Sequence, residues 1–374
     1  MLPVQTNDRC SRSGSVTVPF SVHSRAVDES DLDRLRYHGD QATGPDLLDF
    51  AVNVAAAGPP PWLRDRLAAR LHTLGAYPSA AEDRETREVV AARHGRHPDE
   101  ILLLAGGAEG FALLPRLAPR LTAMIHPSFT EPEFALREAG LPVARVLLEP
   151  PYRLAGARVP DAADLVVLGN PTNPTSVLHP AADVLALRRP GRLILVDEAF
   201  ADTVPGEPES VAGRRLPDVL VLRSLTKTWS LAGLRCGYLI GPVGLLDRLR
   251  VGRAHWPLGS LQLAAIRACS EPVAVVEAAG WAVTLAAHRA AMADRLVAAG
   301  AAVHLPAAAS FLLLHLPDAE RVREQLRTQG IAVRRGDTFP GLGRSHLRVA
   351  VRPPDQVDAL LAALDRIRAY ADRS

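Results

Sequence analysis

The chain has 374 residues, 48% of them apolar and 22% charged, enough to build a large core and more than one lobe. Its 43 basic and 41 acidic residues leave a net charge of +2, spread without long runs. No whole-protein field therefore recruits nucleic acid or a membrane surface, and any charged ligand must be held locally.

Three widely spaced cysteines, Cys10, Cys236 and Cys269, form neither a disulfide framework nor a zinc pattern. They point to a reducing, cytoplasmic setting and to no metal site. The opening stretch MLPVQTNDRCSRSGSV lacks the basic start and apolar run of a signal peptide. No apolar run approaches the roughly 18 residues needed to span a bilayer. The expectation is a soluble globular protein.

Residues 1–30 are rich in Ser, Asp and Arg without any period and read as a loose extension. Residues 31–57 read as an arm joining the small domain. The span 58–250 carries short apolar runs bounded by turns: ILLL (101–104), TAMIH (122–126), DLVVLG (164–169), RLILVDE (192–198), DVLVLRS (218–224) and CGYLIG (236–241). Near-continuous Val/Leu/Ile runs suit strands buried on both faces. They predict an α/β large domain with a mainly parallel sheet flanked by helices. The span 251–374 opens with an Ala-rich helical stretch at about 260–299. SFLLLHL, a helix at 319–328, IAVRR, HLRVAVR and a last helix from about 355 follow. Helices with a few separated strands predict a smaller α+β domain.

Ligands of open α/β sheets collect outside the carboxyl ends of the strands, so the residues following each run are the candidates. ILLL leads into AGGAEG, where Gly106 and Gly107 permit a sharp turn and Ala108 and Glu109 open a helix toward an anion. DLVVLG leads into two Asn-Pro units, at Asn170 and Asn173, each proline holding its asparagine extended. RLILV ends in Asp197 and Glu198. DVLVLRS delivers Ser224, Thr226 and Lys227, with Arg235 eight residues beyond the lysine. A lysine at the end of a buried strand is costly unless partnered or deprotonated, and desolvation makes it a nucleophile toward carbonyls. Arg235 offers a rigid fork of donors for a phosphate. One ligand satisfies all of these at once: a phosphate, an aldehyde for the lysine, a ring nitrogen that wants an anion and a phenolic oxygen for an amide donor. Pyridoxal 5′-phosphate has each part.

The order and spacing of AGGAEG, HPSF, NPTNPTS, DEAF, SLTKTWSLAGLRCGY and HLRVAV resemble the class I/II aminotransferases of fold type I over about 45–370. The similarity is to the branch containing histidinol-phosphate aminotransferases and the threonine-phosphate decarboxylases of cobalamin synthesis. The resemblance implies that Lys227 is the Schiff-base lysine, that Asp197 pairs with the pyridinium nitrogen, and that Asn173 bonds the phenolic oxygen and borders the substrate. Gly107, Ala108, Glu109, Ser224, Thr226 and Arg235 then hold the phosphate end, and Phe129 stacks on the ring. Tyr77 would reach the phosphate of a neighbouring subunit, which implies a homodimer with shared active sites. Arg348 would clamp a substrate carboxylate or phosphate.

Within that branch, LLDFAVNVAAAGPP, Tyr37-His38-Gly39 and IAVRRGDTFPGLG resemble segments of the decarboxylases. They imply His38 and Arg334 as further contacts to substrate anions. The chain departs from the pattern at Ala55 and Ala56, at Asp40 and at Phe200. The expectation is an enzyme acting on a small phosphorylated amino acid or amine, first a threonine-phosphate decarboxylase and alternatively a histidinol-phosphate aminotransferase using 2-oxoglutarate.

Overall fold

The computed structural model describes residues 29–371. Almost all of the extension expected at 1–30 lies outside them, as does Cys10. Strand β1 (Leu48–Asp49) comes first. Seven strands follow: β2 (Ile101–Leu104), β3 (Thr122–His126), β4 (Val143–Leu147), β5 (Leu165–Gly169), β6 (Leu193–Asp197), β7 (Val219–Ser224) and β8 (Gly237–Ile240). These seven make one sheet in the order β2-β8-β7-β6-β5-β3-β4. The pairs among β4, β3, β5, β6 and β7 are parallel, and β8 runs antiparallel to both β7 and β2. Two antiparallel steps restore the direction, so β2 points the same way as β7. The carboxyl ends of β2, β5, β6 and β7 therefore open on one edge.

Both faces of this sheet are buried, which is why its strands read as unbroken apolar runs. Ile101, Leu103, Val166, Leu168, Ile194 and Val196 belong to the core on one face. Their alternating neighbours Leu102, Leu104, Leu165, Val167 and Leu195 belong to the core on the other. Strand β4 carries no such run. VARVL lies at the sheet edge with mostly half-buried side chains, so its sequence gave no strand signal.

A second lobe has its own core, built from Leu285, Met292, Leu296, Leu312, Leu314, Val349 and Leu360 among others. Its sheet runs β12-β13-β10-β9, with β9 (Ala302–Val303), β10 (Phe311–His315), β12 (Arg334–Arg335) and β13 (His346–Ala350). Strand β1 pairs in parallel with β11 (Ile331–Ala332), and Phe50 enters this core. The Ala-rich stretch forms two helices, Ser260–Ser270 and Pro272–Ala298. Pro272 forces Glu271 into an extended conformation (φ −65°, ψ 149°), and the break falls there. Leu263 to Ala278 pack into the first lobe's core, while the same long helix from Leu285 onward packs into the second. The helical part of 251–374 thus serves both lobes.

Among the described residues no helix is long and apolar enough to cross a membrane, and no group of His, Cys, Asp and Glu is arranged to hold a metal ion.

Leu195 is fully buried in the middle of the sheet. Leu195→Ala should cost about 2–5 kcal/mol of stability through lost burial and an unfilled cavity. A denaturant-unfolding midpoint equal to that of the unsubstituted protein would show that this layer does not hold the fold.

Candidate active site

The open edge of the large sheet and the inner face of the second lobe enclose a cavity of about 530 Å³. Its lining includes Gly107 and Ala108 after β2, Asn173 after β5, Asp197 at the end of β6, and Ser224, Thr226 and Lys227 after β7. Arg235, Phe129, His38, Arg334 and Arg348 line it as well. Segments far apart in the chain are thus brought into one space by strand direction in the large sheet and by the second lobe facing its open edge.

The turn after β2 depends on glycine. Gly106 has φ +81°, and a Cβ there would sit 2.9 Å from the Arg235 guanidinium. Arg235 itself has φ +63°, a left-handed conformation that costs a non-glycine residue about 1–2 kcal/mol. Its backbone N–H donates to the Leu231 carbonyl at 3.1 Å, and its own carbonyl accepts from Gln262 Nε2 at 2.9 Å. The guanidinium is thereby laid against the glycine turn, beside Gly107 and Ala108. Glu109 departs from expectation. Its carboxylate accepts from Ala105 N–H at 2.6 Å and from Arg253 Nε and Nη2 at 2.7 and 2.9 Å. It therefore braces the turn from outside the cavity, and a helical position one step past Ala108 points elsewhere.

The sequence pair Asp197-Glu198 is split by strand alternation. Asp197 faces the cavity and accepts from Ala199 N–H at 3.1 Å. Glu198 faces away and accepts from Ser210 Oγ, Val211 N–H and Arg223 Nη1 at 2.6, 2.7 and 3.0 Å. Burial pushes the Asp197 carboxyl up to about 7, against the pull of the Ala199 N–H and of Lys227. Burial pushes Lys227 down to about 8, assisted by the nearby Arg348 and Arg235. Both groups are therefore poised near neutrality, as acid–base chemistry in a closed site requires.

The Lys227 loop is held by residues that the sequence marks as unusual. Its carbonyl accepts from Ala55 N–H at 2.9 Å, and Ala56 N–H donates to Ser230 Oγ at 2.8 Å. A proline at 56, as the family pattern has, lacks that donor. Phe200 lies with its ring centroid 5.7 Å from Lys227 Nζ and presents no hydroxyl.

On the second lobe, Arg334 and Arg348 are direct cross-strand partners of β12 and β13. Arg348 Nη1 donates to Asn173 Oδ1 at 2.7 Å and Nη2 to the Ala51 carbonyl, leaving Nε buried without a partner. Arg334 Nη2 donates to the Tyr37 carbonyl at 2.6 Å and to Thr338 Oγ1 at 2.7 Å, and its guanidinium lies 4.6 Å from the Tyr37 and Phe339 ring centroids. Among the described residues neither has a carboxylate partner. Burial lowers both, to about 9 for Arg348 and about 10 for Arg334.

Two further residues line the cavity: Asn53, inside the LLDFAVNVAAAGPP segment, is buried with its Oδ1 unpartnered among the described residues, and Glu131, which no quoted segment contains, bonds His38. Only a pattern linking 38 to 131 would have revealed the latter, and the fold alone supplies it. Tyr77 lies outside the cavity, 76% exposed, with its ring stacked on Trp256 at 4.3 Å.

The donor set fits pyridoxal 5′-phosphate. A glycine turn filled by Arg235, a buried lysine without a bonded carboxylate, an acid at the strand end and Asn173 with its oxygen already taken by Arg348 correspond to the four parts of that molecule. Residues 45–364 match the family model described as Aminotransferase class I and II. The chain belongs to that family, whose members are pyridoxal 5′-phosphate enzymes. It is 57% identical to a histidinol-phosphate aminotransferase of Mycobacterium bovis, over 88% of this chain and 90% of the relative. A threonine-phosphate decarboxylase of Salmonella typhimurium is 31% identical over 86% of this chain and 91% of the relative. In fold, the histidinol-phosphate aminotransferase of Clostridium acetobutylicum superposes with a TM-score of 0.79 over 87% of this chain and all of that one, at 24% identity. The expectation of a threonine-phosphate decarboxylase is corrected by these relatives. The HG and FPGL segments that suggested it line the cavity through His38, Gly39 and Phe339, and they occur here in a chain far more similar to an aminotransferase.

Because only the neutral amine of Lys227 attacks an aldehyde, cofactor loading of the stripped protein should speed up as pH rises through about 8 and level off above it. The growth of the yellow band after adding pyridoxal 5′-phosphate measures this. A rate still climbing toward pH 10.5 would contradict a depressed lysine.

Proposed function

We propose that the protein is an aminotransferase that takes histidinol phosphate or a closely related phosphorylated amine and passes its amino group to 2-oxoglutarate. The observation that carries this reading is the convergence of Lys227, Asp197, Arg235 and the Arg334–Arg348 pair on one cavity. The 57% identical relatives support the substrate class.

Bound in this cavity, pyridoxal 5′-phosphate withdraws electrons from the substrate Cα. The chain supplies the remainder. Asp197, ionised beside a protonated ring nitrogen, holds that proton in place. Arg348 fixes the Asn173 oxygen, so that the amide nitrogen is left to donate to the phenolic oxygen. Arg235, with Ser224, Thr226 and the N–H groups of Gly107 and Ala108, holds the phosphate, while Phe129 covers the ring. Lys227 takes the proton from Cα and returns it elsewhere, a role that a group near pKa 8 performs at neutral pH. Arg348 and Arg334 bind the substrate's anionic end, or the carboxylates of the keto acid, and thereby choose which Cα bond stands ready to break.

The same reading includes a homodimer in which Tyr77 reaches the partner's cofactor phosphate. The exposed Tyr77–Trp256 stack supports it, since two large aromatic side chains held rigid in solvent are an interface feature. A cytoplasmic setting is supported by the two free buried cysteines, Cys236 and Cys269.

Incubation of the holoenzyme with histidinol phosphate and 2-oxoglutarate should yield glutamate over many turnovers; no glutamate from that pair, together with CO2 released from O-phosphothreonine without a keto acid, would contradict the reading. Lys227→Ala should remove the yellow band and turnover together. Arg348→Ala should raise the substrate KM by the loss of charge-assisted bonds, about 1.5–3 kcal/mol or roughly 10- to 150-fold. Unchanged kinetics would move the anion clamp to Arg334.

A further inference from the structure

Two successive arginines of one strand are held in different ways. Arg335 lies against Asp337, with Nε donating to one carboxylate oxygen at 2.6 Å and Nη2 to the other, so its charge is neutralised and its fork is filled. Arg334 lines the cavity, and its Cζ lies over the ring of Tyr37 and over that of Phe339, 4.6 Å from each centroid. An aromatic ring attracts a cation through its quadrupole and carries no net charge of its own. It steadies the guanidinium and leaves the positive charge in place. The bonds Arg334 makes are to neutral acceptors: Nη1 donates to the Arg335 carbonyl at 2.9 Å, and Nη2 to the Tyr37 carbonyl at 2.6 Å and to Thr338 Oγ1 at 2.7 Å. A guanidinium has N–H donors on all three nitrogens, and among the described residues nothing accepts from Nε.

Tyr37 reaches this arginine from the other lobe. It follows the helix Glu29–Leu35, which is docked on the large domain: Leu35 is buried, its carbonyl accepts from Thr130 Oγ1 at 2.5 Å, and Asp31 pairs with Arg145 at 3.0 Å. Arg334 belongs to the sheet of the second lobe. The contact therefore runs from an arm anchored on one lobe to a buried cation of the other.

We propose that Tyr37 is a positioning residue for the substrate's anion: with Phe339 it holds the Arg334 guanidinium in the cavity, still charged and without a carboxylate, so that its free donor meets the substrate. This rests on the reading above in which Arg334 binds a substrate anion. The ring is the operative part, because the Tyr37 carbonyl persists whatever the side chain.

The test measures kcat and the KM for histidinol phosphate, with 2-oxoglutarate, on four holoenzymes besides wild type. Tyr37→Leu should raise KM about fivefold or more while kcat moves by less than about twofold. Tyr37→Phe, which keeps the ring, should stay within about twofold of wild type in both. Arg334→Gln should raise KM at least as far as Tyr37→Leu does. Tyr37→Leu added to Arg334→Gln should raise it no further, because a residue that acts only through Arg334 then has nothing to position. Tyr37→Met stands in should the leucine variant lose its yellow band, and loss of the band in both would make Tyr37 a residue of the fold and overturn the proposal. An unchanged KM in Tyr37→Leu, or a double variant in which the two effects multiply, also overturns it and leaves anion binding at Arg334 standing. Arg334→Gln with the wild-type KM overturns the reading on which the proposal rests, and the role of Tyr37 falls with it.

Discussion

Four cationic side chains, Lys227, Arg235, Arg334 and Arg348, line one cavity in which Asp197, Asp40 and Glu131 are the acids. Burial out of water depresses Lys227, Arg334 and Arg348 below their ordinary values, and neighbouring arginines add to the effect. Anionic ligands relieve the repulsion among these cations. The rest of the structure exists to hold these groups where ligands, and not each other, satisfy them: the sheet fixes Lys227 and Asp197, a glycine turn fixes Arg235, and a two-strand register fixes the arginine pair.

Much of this was legible in the sequence because the chemistry sits at strand ends. A strand buried on both faces must be an unbroken apolar run, so its end is marked, and the polar residue that follows is automatically at the open edge. Lys227, Asp197, Asn173 and Arg235 were singled out that way, and all four line the cavity. Glu109 was placed wrongly because a glycine turn followed by a helix does not reveal which way the third helical residue points, and Arg253, its partner, lies 144 positions away. Strand β4 escaped because an edge strand need not be apolar. Glu131 escaped because it lines the cavity bonded to His38 across 93 positions, a pairing no local pattern encodes.

The choice between decarboxylation and transamination illustrates a different limit. Both reactions use the same lysine, aspartate and phosphate cradle, so the strongest motifs are silent about which Cα bond breaks. The segments that tipped the sequence reading toward decarboxylation line the cavity through His38, Gly39, Arg334 and Phe339. Ala56 shows how a departure from the family pattern is absorbed: the donor that replaces proline ties the arm to the Lys227 loop through Ser230. Phe200 presents a ring and no hydroxyl to the same cavity.

In the proposed reaction the cavity sorts two anions, one to Arg235 and the glycine turn and the other to Arg334 and Arg348. A crystal structure of the enzyme with pyridoxal 5′-phosphate and histidinol phosphate tests it most directly. The cofactor phosphate should sit on Arg235, Ser224 and Thr226, and the substrate phosphate within hydrogen-bonding distance of Arg334 or Arg348. A substrate phosphate bound away from both arginines, or a cofactor phosphate seated upon them, would contradict it.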